Sequence, residues 1–169
     1  VAATTNMQGF IMYSSALKNF AVTLSKINSD LIFLASGPRA GVFEINLPAM
    51  QPGSSIMPRK VNPVMPELMN LVCFKTIGND VTVTMASQDG LLQLNAFEPV
   101  IAVSIFESQA LLFKSMPLYR TNCIDGITIN EAVLNRYMER SIGIVTALNP
   151  ILGYEKTTEL AKEALKTDK

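Results

Sequence analysis

Large apolar residues recur at Phe10, Tyr13, Leu17, Phe20, Leu24, Ile27, Leu31 and Leu34. Their intervals alternate between three and four, which holds one stripe on one side of an α-helix and makes the seam of a left-handed bundle. Gly37-Pro38 stops this helix. A second helical face runs through Val64, Leu68, Leu71, Phe74, Val81 and Met85, with Gly78-Asn79-Asp80 interrupting it and Gly90 ending it. A third runs through Leu94, Phe97, Ile101, Ile105, Ser108 and Leu112, with Pro99 kinking or starting it and Met116-Pro117 near its end. Three long helices joined end to end predict an antiparallel bundle, the first and third opposed to the second. From Cys123 the pattern shortens, to helices over about 131–145 and 155–167, the first with Asn130 as a candidate N-cap. No stretch alternates at period two for long enough to make a strand, so the fold class expected is all-α.

Between the first two helices, residues 37–63 carry Pro38, Pro48, Pro52, Pro58 and Pro63, with Gly37, Gly41 and Gly53 and no hydrophobic period. A loop of that length within a compact domain is generally functional, and this one is expected to be the least ordered internal segment without a ligand. Its chemistry is concentrated in Gly53-Ser54-Ser55-Ile56-Met57-Pro58-Arg59-Lys60-Val61-Asn62-Pro63. Two hydroxyls, an ammonium and an amide, on a glycine hinge, offer donors to a carboxylate or a phosphate. A serine-rich turn with a solvated lysine is the alternative.

Charge and hydropathy change the picture in one respect. Only 17% of residues are charged while 49% are hydrophobic, against roughly 25% charged in an ordinary soluble domain. So few charges cannot cover the surface of an isolated chain, which points to apolar faces buried against partners. The formal net charge is zero, so nothing argues for nucleic acid or an anionic membrane, and no apolar run reaches the roughly 20 residues that span a bilayer. Cys73 and Cys123 are too few for a disulfide scaffold and suggest no metal site; Cys73 reads as a buried free thiol. A cytoplasmic protein is expected. Val1 enters almost at once into a helical period and Lys169 closes a helix without a capping glycine, which suggests a piece of a longer protein.

The eleven residues GSSIMPRKVNP resemble the GSSxMPxKxNP loop of the fumarase/aspartase superfamily. The likeness extends to Ser36–Gln51 before the loop and to Gly78-Asn79-Asp80, Leu94-Asn95, Gly126-Ile127 and Thr146-Ala147-Leu148-Asn149 after it. It implies a central helical-bundle domain over residues 1–122, followed by the start of a small, incomplete helical C-terminal domain over residues 123–169. It also implies trans elimination from a dicarboxylate to leave fumarate, without cofactor or metal. By motif position Ser54 is the general base, working as an alkoxide, and Gly53 is the hinge that lets backbone N–H groups approach it. Lys60 and Asn62 bind a substrate carboxylate, Ser55 adds a hydroxyl donor, and Glu67 pairs with a histidine of the site. Arg59 stands where the family commonly has a small residue. The family builds its site from three motifs, of which the Thr-His and Ser-Ser-Asn motifs are missing here, and the chain has no histidine at all. The resemblance further implies a homotetramer with sites shared between subunits. Asn46–Gln51, Pro63–Glu67 and Gly126–Glu131 look more like the aspartate ammonia-lyase branch than the fumarase branch. A fumarate hydratase, or a helical assembly module without activity, are the alternatives.

Overall fold

The structure, a computed structural model, describes residues 2–51 and 61–167. It is helical, as the apolar spacing predicts, and divides into a unit ending at Thr128 and a unit beginning at Ile129. The first unit opens with α1 (Ala2–Thr5) and α2 (Gln8–Leu34). A two-residue strand, β1 (Ile45–Asn46), precedes α3 (Val64–Gln88) and α4 (Glu98–Asn122). A 3₁₀ turn at Ile124–Gly126 leads to β2 (Thr128–Ile129), the ladder partner of β1.

Residue pairs give the helix directions. Ser14 on α2 meets Asp80 on α3 while Asn28 meets Asn70, so the two helices run in opposite senses. Asn79 on α3 meets Ser104 and Ser108 on α4, while Met69 and Cys73 pack with Tyr119 and Cys123. That pair is antiparallel as well. The core has an apolar cluster at each end. One holds Ala21, Leu24, Met65, Met69, Cys73, Tyr119 and Cys123; the other holds Met7, Val83, Ile101 and Ile105.

Between the clusters lies a layer of polar side chains, satisfied by one another as burial requires. Asp80 is buried, accepts from Ser14 Oγ at 2.8 Å and pairs with Lys18 Nζ at 2.6 Å. The Asn79 amide donates toward the Ser104 carbonyl at 3.1 Å, and to the Ser108 hydroxyl and the Glu107 carboxylate at 3.0 Å each. Lys75 and Asn79 hold the Glu107 carboxyl below its ordinary range.

The expected seam of α2 is not its inner face. Phe10, Phe20 and Ile27 are 45–48% exposed, and of the eight seam residues only Leu24 is buried. The line that meets α3 repeats every seven residues instead, through Met7, Ser14, Ala21 and Asn28. Small side chains there let the axes approach, and hydrogen bonds do the pairing. The face expected for α3 is likewise outward, with Leu71 64% and Phe74 57% exposed, while Met65, Met69, Val72, Cys73, Thr76, Asn79, Asp80 and Val83 turn in. For α4 the expected Ile101, Ile105, Ser108 and Leu112 are buried, together with Ser104, Ser115 and Tyr119, whereas the expected Leu94 and Phe97 precede the helix and are exposed.

Gly78 does not interrupt α3. A mid-helix glycine costs about 1 kcal/mol, which the buried bonds of Asn79 and Asp80 offset. Pro99 starts α4 rather than kinking it. Asn95 ties α3 to that start, its Nδ2 donating to the Ala86 carbonyl at 2.9 Å and its Oδ1 accepting from Phe97 N at 2.8 Å. Pro117 does not end α4, which continues to Asn122 because Tyr119 is anchored beyond it.

In the second unit, α5 (Glu131–Glu139) stops short of the expected 145 and gives way to a 3₁₀ segment, Ile142–Leu148. α6 (Asn149–Leu152) and α7 (Tyr154–Thr167) follow. Among its described residues only Thr157 is buried, and Ile151, Tyr154 and Leu165 are each more than 70% exposed.

Two outcomes follow from this packing. Tyr119 donates to Asn28 Oδ1 at 2.5 Å in a fully buried setting, and Asn28 in turn donates to Asn70 at 3.1 Å. Tyr119→Phe should cost about 1–3 kcal/mol through the stranded amide, and Met69→Ala about 2–5 kcal/mol through the cavity, both read by urea denaturation. Burial raises the Cys73 and Cys123 thiols above their ordinary value, and burial with the neighbouring thiols raises the Tyr119 phenol. The unfolded chain therefore releases these protons first. Stability should be fully present below the unfolded thiol value of about 8.5 and fall as pH climbs past it, measured as the unfolding midpoint from pH 7 to 10. Both thiols should resist a thiol reagent until the chain unfolds.

Candidate active site

Gly53, Ser54, Ser55 and Lys60 lie outside the described residues, as do Arg59 and the centre of the segment expected to be least ordered. The structure describes what flanks them. The stretch before the loop is more regular than its lack of hydrophobic period suggests. Ser36 Oγ donates to the Phe33 carbonyl at 2.5 Å and accepts from Val42 N at 3.1 Å. Glu44 N returns to the Leu34 carbonyl at 2.9 Å, so residues 36–44 fold back on the end of α2. Gly37 has φ +139°, and a Cβ there would stand 2.9 Å from Phe43 Cβ, so only glycine fits this turn. Phe43 itself sits at φ +52°, a conformation that side-chain-bearing residues rarely adopt and that clusters at functional segments. The fold-back delivers the chain into β1.

On the far side of the loop, Pro63 is the N-cap of α3, and Val64 N donates to the Asn62 carbonyl at 2.9 Å. Helix thus begins one residue beyond the proline expected in its first turn. Glu67 lies in the first turn of α3, exposed, where a carboxylate complements the helix N-terminus.

The two flanks meet across a cavity of about 720 Å³. Among the described residues its walls are mainly apolar, from Ile32, Phe43, Leu47 and Val61, with Ser36, Asn46 and Asn62 as polar side chains. An apolar pocket with a few convergent polar groups is the ordinary form of a small-molecule site. Asn62 is therefore brought to a cavity, whereas Glu67 stands outside its lining and faces solvent. Asn46 and Ser36 stood only within the stretches that carry the family resemblance and were not among the candidate site residues.

The chain matches the family model described as Lyase over residues 1–78, and that of the fumarase C C-terminus over residues 144–169. It is 55% identical to an aspartate ammonia-lyase of Helicobacter pylori over 169 residues, all of this chain and 36% of that protein. It superposes on the fumarate lyase:delta crystallin from Brucella melitensis in native form with a TM-score of 0.93 at 50% identity, covering 100% of this chain and 38% of that one. With the class II fumarase from Schistosoma mansoni the TM-score is 0.95 at 34% identity, covering 99% and 35%. The chain thus spans little more than a third of the length of the relatives it matches. Likeness of this degree from one end of the chain to the other leaves one conclusion: the chain belongs to the fumarase/aspartase superfamily.

Proposed function

We propose that the protein to which this chain belongs is an aspartate ammonia-lyase, converting L-aspartate into fumarate and ammonia in the cytoplasm. The observation that carries the reading is the 55% identity to a relative of that name over the whole chain, against 34% to a class II fumarase.

The reaction's difficulty is removal of a carbon-bound proton beside a carboxylate. Its charge must spread into that carboxylate, which becomes doubly anionic, so the site has to supply dense donors where the charge develops. In this reading Ser54 takes the Cβ proton as an alkoxide, a poor base unless backbone N–H groups and a cation stabilise it, and Gly53 allows that approach. The C–N bond then breaks, its electron pair leaving on nitrogen as ammonia, and the proton taken by the serine completes ammonium. Lys60 and Asn62 hold a substrate carboxylate, with Asn62 on the cavity wall and Ser55 adding a hydroxyl. Glu67, exposed at the start of α3, is available to pair with a histidine that this chain lacks. The family likeness makes a homotetramer with shared sites part of the proposal. The outward rows Phe10, Phe20 and Ile27 on α2, Leu71 and Phe74 on α3, and Phe106 and Phe113 on α4 support it, being apolar and substantially exposed. So does an apolar cavity of about 460 Å³ between α2 and α4, walled by Phe10, Tyr13, Ile105 and Phe106.

In the full-length protein, Ser54→Ala should lower kcat by about 10²- to 10⁴-fold with KM for L-aspartate nearly unchanged, followed by the absorbance of fumarate. Lys60→Ala should instead raise KM most. A Ser54→Ala enzyme of full kcat would remove the serine from the mechanism, and a full-length protein that neither deaminates L-aspartate nor hydrates fumarate would leave only the assembly role. The 169-residue chain by itself should sediment as an oligomer at micromolar concentration, and a well-behaved monomer would count against the shared-site assembly.

A further inference from the structure

We infer that Asn46 and Thr128 form a positioning pair, which holds one wall of the cavity at a fixed distance from Asn62 and so sets its affinity for a dicarboxylate. The inference rests on the lyase reading and names a residue pair that reading does not use.

The cavity is walled by two stretches of chain, residues 45–49 leading toward the loop and residues 61–63 leaving it. The second wall is anchored by α3, whose first turn buries Met65 and Pro66. The first wall has no helix of its own, and β1 is two residues long. It is held at its start by the Glu44 N bond to the Leu34 carbonyl and by Leu47 packed on the core, and along its outer side it leans on the segment following α4. Asn46 Nδ2 donates to Thr128 Oγ1 at 3.2 Å, across 82 positions of sequence. Gly126 comes so close to Pro48 that a Cβ on it would lie 2.6 Å from Pro48 Cγ. That segment is itself fixed, since Cys123 is buried in the core and accepts from Gly126 N at 3.2 Å. A continuous line of contacts therefore runs from the end of α4 through Thr128 and Gly126 to Asn46 and Pro48.

Thr128 and Gly126 are not among the residues lining the cavity, so they act on it only through the wall they support. A dicarboxylate presents two anionic ends at a set separation. Donors on facing walls hold it well only if the walls keep their spacing to within roughly 0.5 Å. Loosening the support enlarges the ensemble of wall positions, which weakens ground-state binding more than it slows a chemical step centred on another residue.

The test uses the full-length protein with Thr128→Val, which keeps the branched shape without the hydroxyl, Gly126→Ala, which pushes on Pro48, and Thr128→Ser, which restores the hydroxyl. KM and kcat for L-aspartate, the Kd of fumarate by calorimetry and the Tm are measured for each. The expected result for Thr128→Val and Gly126→Ala is a rise of roughly threefold to tenfold in both KM and Kd with kcat close to that of the parent, Tm holding for Thr128→Val and falling for Gly126→Ala, whose Cβ must displace Pro48. Thr128→Ser should bring both constants back. Unchanged constants, a KM that rises only in step with losses of kcat and Tm, or no recovery with serine would overturn the positioning role. A parent that binds fumarate without turning over aspartate removes the lyase reading alone, and the pair is then decided on Kd. A parent that binds no fumarate removes both.

Discussion

The bundle depends on a carboxylate that cannot reach water. Asp80 on α3 turns toward α2, where Lys18 pairs with its Oδ2 and Ser14 and Ser15 donate to its Oδ1. A buried charge left without its partner costs about 3–5 kcal/mol, so this pairing permits little freedom of register between α2 and α3. Asn28 repeats the constraint farther along, bridging Asn70 and Tyr119. Asn79 does the same between α3 and α4. Apolar clusters at either end supply bulk, yet hydrophobic contact is non-directional and tolerates sliding. The polar layer between them does not.

This division of labour explains how much could be read from the chain. The existence and approximate span of the long helices follow from the 3–4 spacing of large residues. Which face turns inward does so only for α4, where Ile101, Ile105 and Leu112 both mark the pattern and fill the core. On α2 the inner line is Ser14, Ala21 and Asn28, which a reading of hydrophobicity passes over, while Phe10, Phe20 and Ile27 mark a surface for the assembly proposed above. Gly78 looked like an interruption because propensity is local, whereas the bonds that keep α3 whole come from α2 and α4.

The loop motif was legible as chemistry, and the structure adds where its flanks lie. Asn62 was expected to touch a ligand and lines a cavity. Asn46 and Thr128 both lay in stretches that carry the family resemblance, but their pairing was hidden, because they are distant in sequence and neither stands in a periodic pattern. The fold-back of residues 36–44 was hidden for a different reason. It is built from backbone bonds, one serine hydroxyl and a glycine at positive φ, none of which gives a hydrophobic signal. On the proposed reading, the bundle acts as a rigid frame from which two short flanks aim a loop of donors at a dicarboxylate.

The two connections of the bundle differ in a way that bears on its evolution. Residues 89–97 join α3 to α4, while residues 35–63 join α2 to α3 and are roughly three times as long. Closure entropy grows only with the logarithm of length, so the longer connection costs about 1 kcal/mol more. The buried polar bonds that set the register of α2 lie outside it. Insertions and deletions within the loop can therefore accumulate at little energetic penalty, while the helices that carry it stay in step. The same frame is thus free to explore loops of different length and reach without renegotiating its core.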